Sequence, residues 1–398
     1  MANGLKIGFV GVGQCGGNIA NEFSKLGYPA IAINTAKPDL DKLTDIRNEN
    51  RLLINLGIQG AGKNPEIGEN AFVQHNEVVT ELIYNAFGED VDMLYVCAGF
   101  GGGTGSGVAP ILSALLCELG YNVGVIATLP TKNESQKVQL VALDAFQKMS
   151  ENDGISSFFI VDNDKTVDSN IGVKTQYNVT NVNIVRQFDG LYKLTEVASD
   201  MAFDARDFIT LLSNRGVASM AVVQIDDLKN FGEIALQKIS ESIKNGLFAD
   251  TELAGANGCA IVFETGNGSS VYVTQEIIGK IQTALGNPFD IFTAIYEADN
   301  KKQDRSATLR LLITGLPIPK DRLDEMNMEF ERRQETLVQK QQKANDIRYT
   351  SKSSNYLNSM LNNNSTTKTQ QKKSTVGTGG NSLLEQIAKR KAEMNKKQ

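Results

Sequence analysis

The sequence predicts an α/β protein built on a parallel sheet, and three observations carry that expectation. Short apolar runs alternate with helical patterns through the first half of the chain, the pattern of a parallel sheet covered by helices on both faces. Glycine-rich segments fall at the ends of those runs, where such sheets hold their ligands. At 398 residues and 41% hydrophobic, the chain can bury a large core, and no uncharged apolar stretch approaches the roughly 18 residues of a membrane span.

Strand-like runs lie at 5–10, 30–34, 52–54, 93–97, 123–128 and 157–161, with helical patterns at 17–26, 69–87, 108–119 and 134–149. A longer helical pattern over 179–197 places Val182, Val185, Leu191, Leu194 and Val197 on one face and joins the two halves. The second half offers strands near 219–225, 258–263, 291–297 and 309–314, with helices near 233–245 and 275–285, which reads as a smaller α+β domain. After Pro317 and Pro319 the chain turns charged and rich in helix formers to about Tyr349, a long surface helix. A Ser/Asn/Thr/Gln/Gly/Lys tract from Ser351 to Gly380 is too polar to fold alone. Ser382 and Glu385 then form a capping-box pattern opening a short basic amphipathic segment, expected to order only on binding. The expected domains are therefore 1–178, a central helix at 179–203, 204–318, a surface helix at 319–349 and a flexible basic tail at 350–398.

Charge divides along the same line. Residues 351–398 carry nine Lys/Arg and two acids, whereas the chain as a whole is at −6. The acidic body is not expected to bind DNA sequence directly; the basic tail suits an acidic partner, DNA or a neighbouring body. Met1 to Lys6 leads directly into the first strand, so no secretory leader is expected, and four scattered cysteines fit a reduced cytoplasmic protein. The one histidine, His75, reads as an ordinary helix residue, so zinc and histidine-based catalysis are not expected.

The most informative segment is Ala98 to Gly107, six glycines in ten positions between an apolar strand and an apolar helix. Its backbone N–H groups and the start of the following helix form an anion site that suits phosphate, with Thr104 and Ser106 able to add hydroxyl donors. A flexible linker does not sit between a buried strand and a helix. Gly11, Gly13 and Gly16 make a second loop that satisfies G-x-G-x-x-G, the dinucleotide fingerprint. The acid that an oxidoreductase would place at the end of the second strand is missing, because that strand ends Asn34-Thr35. A third loop, Gly60 to Pro65, adds backbone donors and the Lys63 point charge. Several glycine loops at neighbouring strand ends suit a chain of phosphates better than one pyrophosphate.

These segments together resemble the tubulin/FtsZ superfamily of polymerising GTPases over about residues 5–317. Gly101–Gly107 (GGGTGSG) matches the family's signature loop, and Gln14-Cys15-Gly16 is close to the tubulin form of the first nucleotide loop. The resemblance implies that GTP or GDP is bound by Gln14, Cys15, Gly16, Gly17 and Asn18, by Ala61, Gly62, Lys63 and Asn64 near the γ-phosphate, and by Gly101, Gly102, Gly103, Thr104 and Gly105. It further implies Glu134 on the ribose, Asn163 in the Asp162-Asn163-Asp164-Lys165 loop, and Asn183 on the guanine. Asp204 and Asp207 correspond to acids that enter the site of the next subunit in a head-to-tail filament, where they would polarise the attacking water while Mg2+ bridges phosphate oxygens. Read from the residues alone, the same two acids are a solvated helix start. Departures from the FtsZ pattern at Ala202, Val138 and Lys63 imply different hydrolysis kinetics with nucleotide binding retained. The polar spacer and basic end resemble plasmid-segregation tubulins of the TubZ type, which implies a DNA-binding adaptor as partner; the alternative is a cell-division or structural filament.

Overall fold

In a computed structural model the described residues are 4–57, 59–298 and 304–328, and they belong to one compact unit. Ten strands form one sheet. β1 (Ile7–Val12), β2 (Ala30–Asn34), β3 (Arg51–Leu53), β4 (Met93–Gly99), β5 (Val123–Leu129), β6 (Ile155–Asp162) and β7 (Gly216–Ile225) lie in the order β3-β2-β1-β4-β5-β6-β7, all parallel. β10 (Ala307–Leu316) runs antiparallel between β7 and β8 (Gly258–Thr265), and β9 (Asp290–Glu297) closes the edge parallel to β8. Every residue of β1 and β5 is buried, which is why both read as continuous apolar runs without alternation.

The helices are α1 (Gly13–Lys25), α2 (Lys37–Asp41), α3 (Pro65–Phe87), α4 (Gly103–Glu118), α5 (Gln136–Ser150), α6 (Val173–Tyr192), α7 (Ala205–Leu212), α8 (Leu228–Lys244) and α9 (Gln275–Ala284), with residues 320–328 also helical. From β1 the chain moves outward to β2 and β3, then returns to place β4 on the other side of β1. That reversal opens a crevice beyond the carboxyl ends of β1 and β4, the usual ligand position of such sheets. Glycine-rich loops follow both strands.

An aromatic cluster ties α1 and α6 to the sheet. Phe9 of β1 and Phe23 of α1 stack with ring centroids 3.5 Å apart, and Phe188 of α6 meets Phe9, Tyr95 and Phe208 edge-on at 5.8, 5.4 and 5.5 Å. Such pairs add roughly 0.5–1.5 kcal/mol each beyond their area burial. His75 lies on α3 with Nδ1 2.8 Å from the Ala71 carbonyl oxygen, as an ordinary helix residue.

The central helix differs from the expected 179–203. It starts earlier, at Val173 after Gly172, because polar residues at its first turn hide the start of the apolar pattern. It ends at Tyr192, where the Thr195 hydroxyl donates to the Tyr192 carbonyl (2.7 Å) and a 3-10 turn over Lys193–Glu196 follows. Val197, expected on the apolar face, is half exposed. Likewise α5 begins at Gln136, leaving Glu134 in the turn that precedes it. Of the expected surface helix, residues 320–328 are helical; its remainder, the polar tract and the basic amphipathic segment lie outside the described residues. Among the described residues no helix is long and apolar enough to cross a membrane.

Candidate nucleotide site

Three loops converge on the crevice because glycine lets them touch. An ideal Cβ on Gly103 would lie 2.6 Å from the Ala61 Cβ and 2.9 Å from the Asn64 backbone nitrogen, so the loop after β4 packs directly on the loop before α3. A Cβ on Gly16 would overlap the Cys97 carbonyl, which seats the first turn of α1 against β4. Gly13, at φ +70°, lies against the Gly105 backbone nitrogen. Gln14, Cys15, Gly16, Gly17 and Asn18 thus form the first turn and a half of α1, beside Gly101, Gly102, Gly103, Thr104 and Gly105, with Ala61, Gly62, Lys63 and Asn64 on the far side. Gly62 and Lys63 both have positive φ, at 56° and 58°, and both are exposed.

The N-terminus of α4 is capped by Gly102, with no side chain on its free N–H groups. A Cβ on Gly102 would meet only the Gly99 carbonyl oxygen, at 3.9 Å, an ordinary contact that leaves room at this position. Unpartnered helix N–H groups opening on a crevice make a ready anion site. The expected hydroxyl donors are used differently. Ser106 Oγ accepts the Gly101 N–H at 2.9 Å, and Thr104 Oγ1 pairs with Thr35 Oγ1 at 2.7 Å, both buried. They fasten the loop from within instead of reaching outward. Thr35, whose carbonyl also accepts the Gly60 N–H (3.0 Å), ties the second strand into the site, and no short motif signals it.

Cys15 sits 3.4 Å from the Thr128 hydroxyl, and burial raises its thiol above the ordinary range. Glu134 is half-buried and close enough to act on the charge state of both Cys15 and Tyr177. Tyr177, in the early turns of α6, has its phenol raised by burial first, then by the charges of Glu134 and Cys15. Asn163 is buried in a 3-10 turn after β6, capped by Asp162. Asn183 is half-buried on α6, which packs against both α1 and that turn. Lys165 points away: its Nζ donates to the Ile243 and Phe248 carbonyls at 3.0 and 2.8 Å and to Asp250.

Asp204 and Asp207 stand elsewhere. Asp204 caps α7, its Oδ1 accepting the N–H groups of Arg206 and Asp207 at 2.8 and 2.9 Å, while Asp207 Oδ2 accepts the Asp204 N–H at 3.1 Å. The reciprocal pair is a capping box, the helix start that the residues alone suggest. The position of α7 is set by Phe208, whose ring lies 5.5 Å from Phe188 and 6.1 Å from Tyr192, at the far end of α6 from Tyr177. There the Tyr192 hydroxyl donates to the Leu5 carbonyl (3.0 Å), at the foot of β1. A helix advances 1.5 Å per residue, so the acids are on the order of 20 Å from the glycine loops. They do not reach the crevice of their own chain.

Residues 6–170 match the Tubulin/FtsZ family, GTPase domain. The chain is 32% identical over 258 residues to the tubulin-like protein CetZ of Pyrococcus abyssi, covering 62% of this chain and 69% of that protein. It is 27% identical over 372 residues to the tubulin-like protein TubZ of Bacillus cereus, covering 83% and 84% of the two chains. Its fold is similar to the GTPγS-form protofilament of Bacillus thuringiensis serovar israelensis TubZ, with TM-score 0.72 and 20% identity, covering 84% of this chain and 94% of that one. With its glycine loops gathered at the reversal of a parallel sheet and its sequence kinship to CetZ, the chain belongs to the tubulin/FtsZ family, whose members are filament-forming GTPases.

Proposed function

We propose that this protein binds and hydrolyses GTP and polymerises head to tail, each molecule holding the nucleotide and the next completing the active site. The observation that carries the reading is the separation of two half-sites. Open helix N–H groups lie at the carboxyl ends of β1 and β4, and a pair of acids, Asp204 exposed and Asp207 half-buried, lies at the far end of α6. On one compact unit these halves meet only between molecules, and a heterologous contact of that kind propagates as a filament. The glycine loops bind the phosphates, Glu134 the ribose, Asn163 and Asn183 the base. Asp204 and Asp207 orient the water that attacks the neighbour's γ-phosphate, a reaction that needs positioning and charge more than a covalent nucleophile.

Among the described residues no group of three or more His, Cys, Asp and Glu side chains is arranged to hold a metal. Mg2+ keeps several waters and takes substrate oxygens, so in this reading the ion would be carried in by the phosphates. When bound it neutralises charge on the phosphate oxygens; the chain's own donors fix the phosphates in place.

For the cargo we infer plasmid or phage DNA, engaged through a DNA-binding adaptor by the basic tail. The support is the tail's nine basic against two acidic residues, with a likeness to TubZ that covers more of this chain than the likeness to CetZ. Asp204→Asn is the test of the enzymatic reading: light scattering still rises on adding GTP and Mg2+, while phosphate release falls on the order of a hundredfold or more, as for loss of a group that acts in the transition state. Unchanged phosphate release in assembled Asp204→Asn would refute catalysis in trans. Removing residues 351–398 spares assembly and abolishes recruitment of adaptor-bound DNA; recruitment that survives the truncation removes the DNA-segregation reading.

A further inference from the structure

We propose that Arg322 is a positioning residue for the nucleotide site, so that the helix over residues 320–328 is part of the site's supporting wall. The proposal rests on the reading above that Glu134 and Asn163 line the site. Arg322 is 8% exposed, a rare degree of burial for an arginine. Its Nε donates to Asp162 Oδ2 at 3.0 Å and its Nη2 to the Pro130 carbonyl at 2.7 Å. Asp162 ends β6 and caps the turn that carries Asn163, its Oδ1 accepting the Asp164 N–H at 3.1 Å. Pro130 follows β5 and opens the loop that carries Glu134. One guanidinium therefore fixes the roots of both loops relative to each other.

A second strap lies outside the first. The Lys132 N–H donates to Asp164 Oδ1 at 2.8 Å, while Lys132 Nζ lies 3.4 Å from Asp164 Oδ2 and 2.7 Å from Glu325 Oε1. Lys165 holds the far side of the same turn through the Ile243 and Phe248 carbonyls. Between these straps Asn163 is buried in the turn that Asp162 caps.

The chemistry of the pair points to geometry as its purpose. Burial raises the Asp162 carboxyl above its ordinary range even with Arg322 beside it, so desolvation outweighs the attraction. An apolar pair of similar volume would stabilise the fold as well or better. A forked guanidinium instead fixes two acceptors in direction and distance. Because coupling between sites is reciprocal, a helix that steadies the loops is itself steadied when nucleotide fills them.

The test uses the full chain, a fluorescent GTP analogue, and amide exchange at residues 320–328 with and without GTP. Arg322→Met binds the analogue at least tenfold more weakly, and Arg322→Lys, which keeps the charge, recovers part of the loss. Exchange at 320–328 slows on GTP binding in the wild type and not in Arg322→Met. Glu134→Ala is measured alongside. If it weakens binding while Arg322→Met binds as the wild type does, the coupling is wrong and the site stands. If neither variant weakens binding, the site reading fails and takes the coupling with it. Should Arg322→Met not fold, Lys132→Met removes the outer, exposed strap; about threefold weaker binding supports the proposal and wild-type affinity overturns it.

Discussion

Two glycines of the site carry opposite consequences. A methyl at Gly16 would collide with the Cys97 carbonyl in a seam between α1 and β4 that cannot open cheaply. Gly16→Ala is expected to lose about 3 kcal/mol, the upper end of overpacking costs, read as a lower midpoint in urea. A methyl at Gly102 makes only an ordinary contact with the Gly99 carbonyl oxygen at 3.9 Å, and its φ of −86° suits alanine, so Gly102→Ala keeps wild-type stability. Its methyl instead stands before the free N–H groups of α4, and GTP affinity drops about tenfold by equilibrium titration, a loss of about 1.4 kcal/mol. Equal stability and equal affinity in Gly102→Ala would mean that phosphate does not lie at that helix end. Asp204 separates two roles in the same manner. Asp204→Ala loses the cap, about 1 kcal/mol, and phosphate release; Asp204→Asn keeps the cap to within a few tenths and loses phosphate release alone. Thermal melts beside phosphate assays distinguish the two.

Elements were legible where burial makes the sequence monotonous. The central parallel strands β1, β4 and β5 are buried on both faces, so each reads as an apolar run, and all ten observed strands start within three residues of the expected positions. The start of α6 was not legible, because its first turn, Val173 to Thr175, is exposed and carries no apolar face that would extend the pattern. Of the site, the glycine loops were legible because close backbone approach admits only glycine. The Thr35–Thr104 pair, 69 residues apart, and the Arg322–Asp162 pair, 160 apart, leave no local pattern, since each partner alone is an ordinary residue in its element. The capping box at α7 shows in sequence as two acids three apart, yet its distance from the crevice depends on where Phe208 docks. That docking makes Phe188 the hinge pin between α6, α7 and the sheet. Phe188→Ala is expected to cost about 3–5 kcal/mol in unfolding free energy. A loss below about 1 kcal/mol, by the same denaturant titration, would show that the cluster does not hold α6 to the sheet.

At the scale of the whole molecule, the sheet is one continuous surface from β3 to β9, and the two half-sites are fixed at a distance set by the length of α6. A rigid spacer of that kind gives no route by which one chain closes on its own nucleotide. The proposed cargo reading belongs to the same scale: if the basic tail engages an acidic partner, that attraction weakens as salt rises. The division of the active site between molecules is tested most directly by GTP turnover per chain as protein concentration is raised through the onset of assembly. A site completed by the neighbour predicts almost no turnover at low concentration and a steep rise when light scattering begins. Turnover per chain that is constant from the lowest concentration upward would contradict it, because a lone molecule would then hold the whole active site.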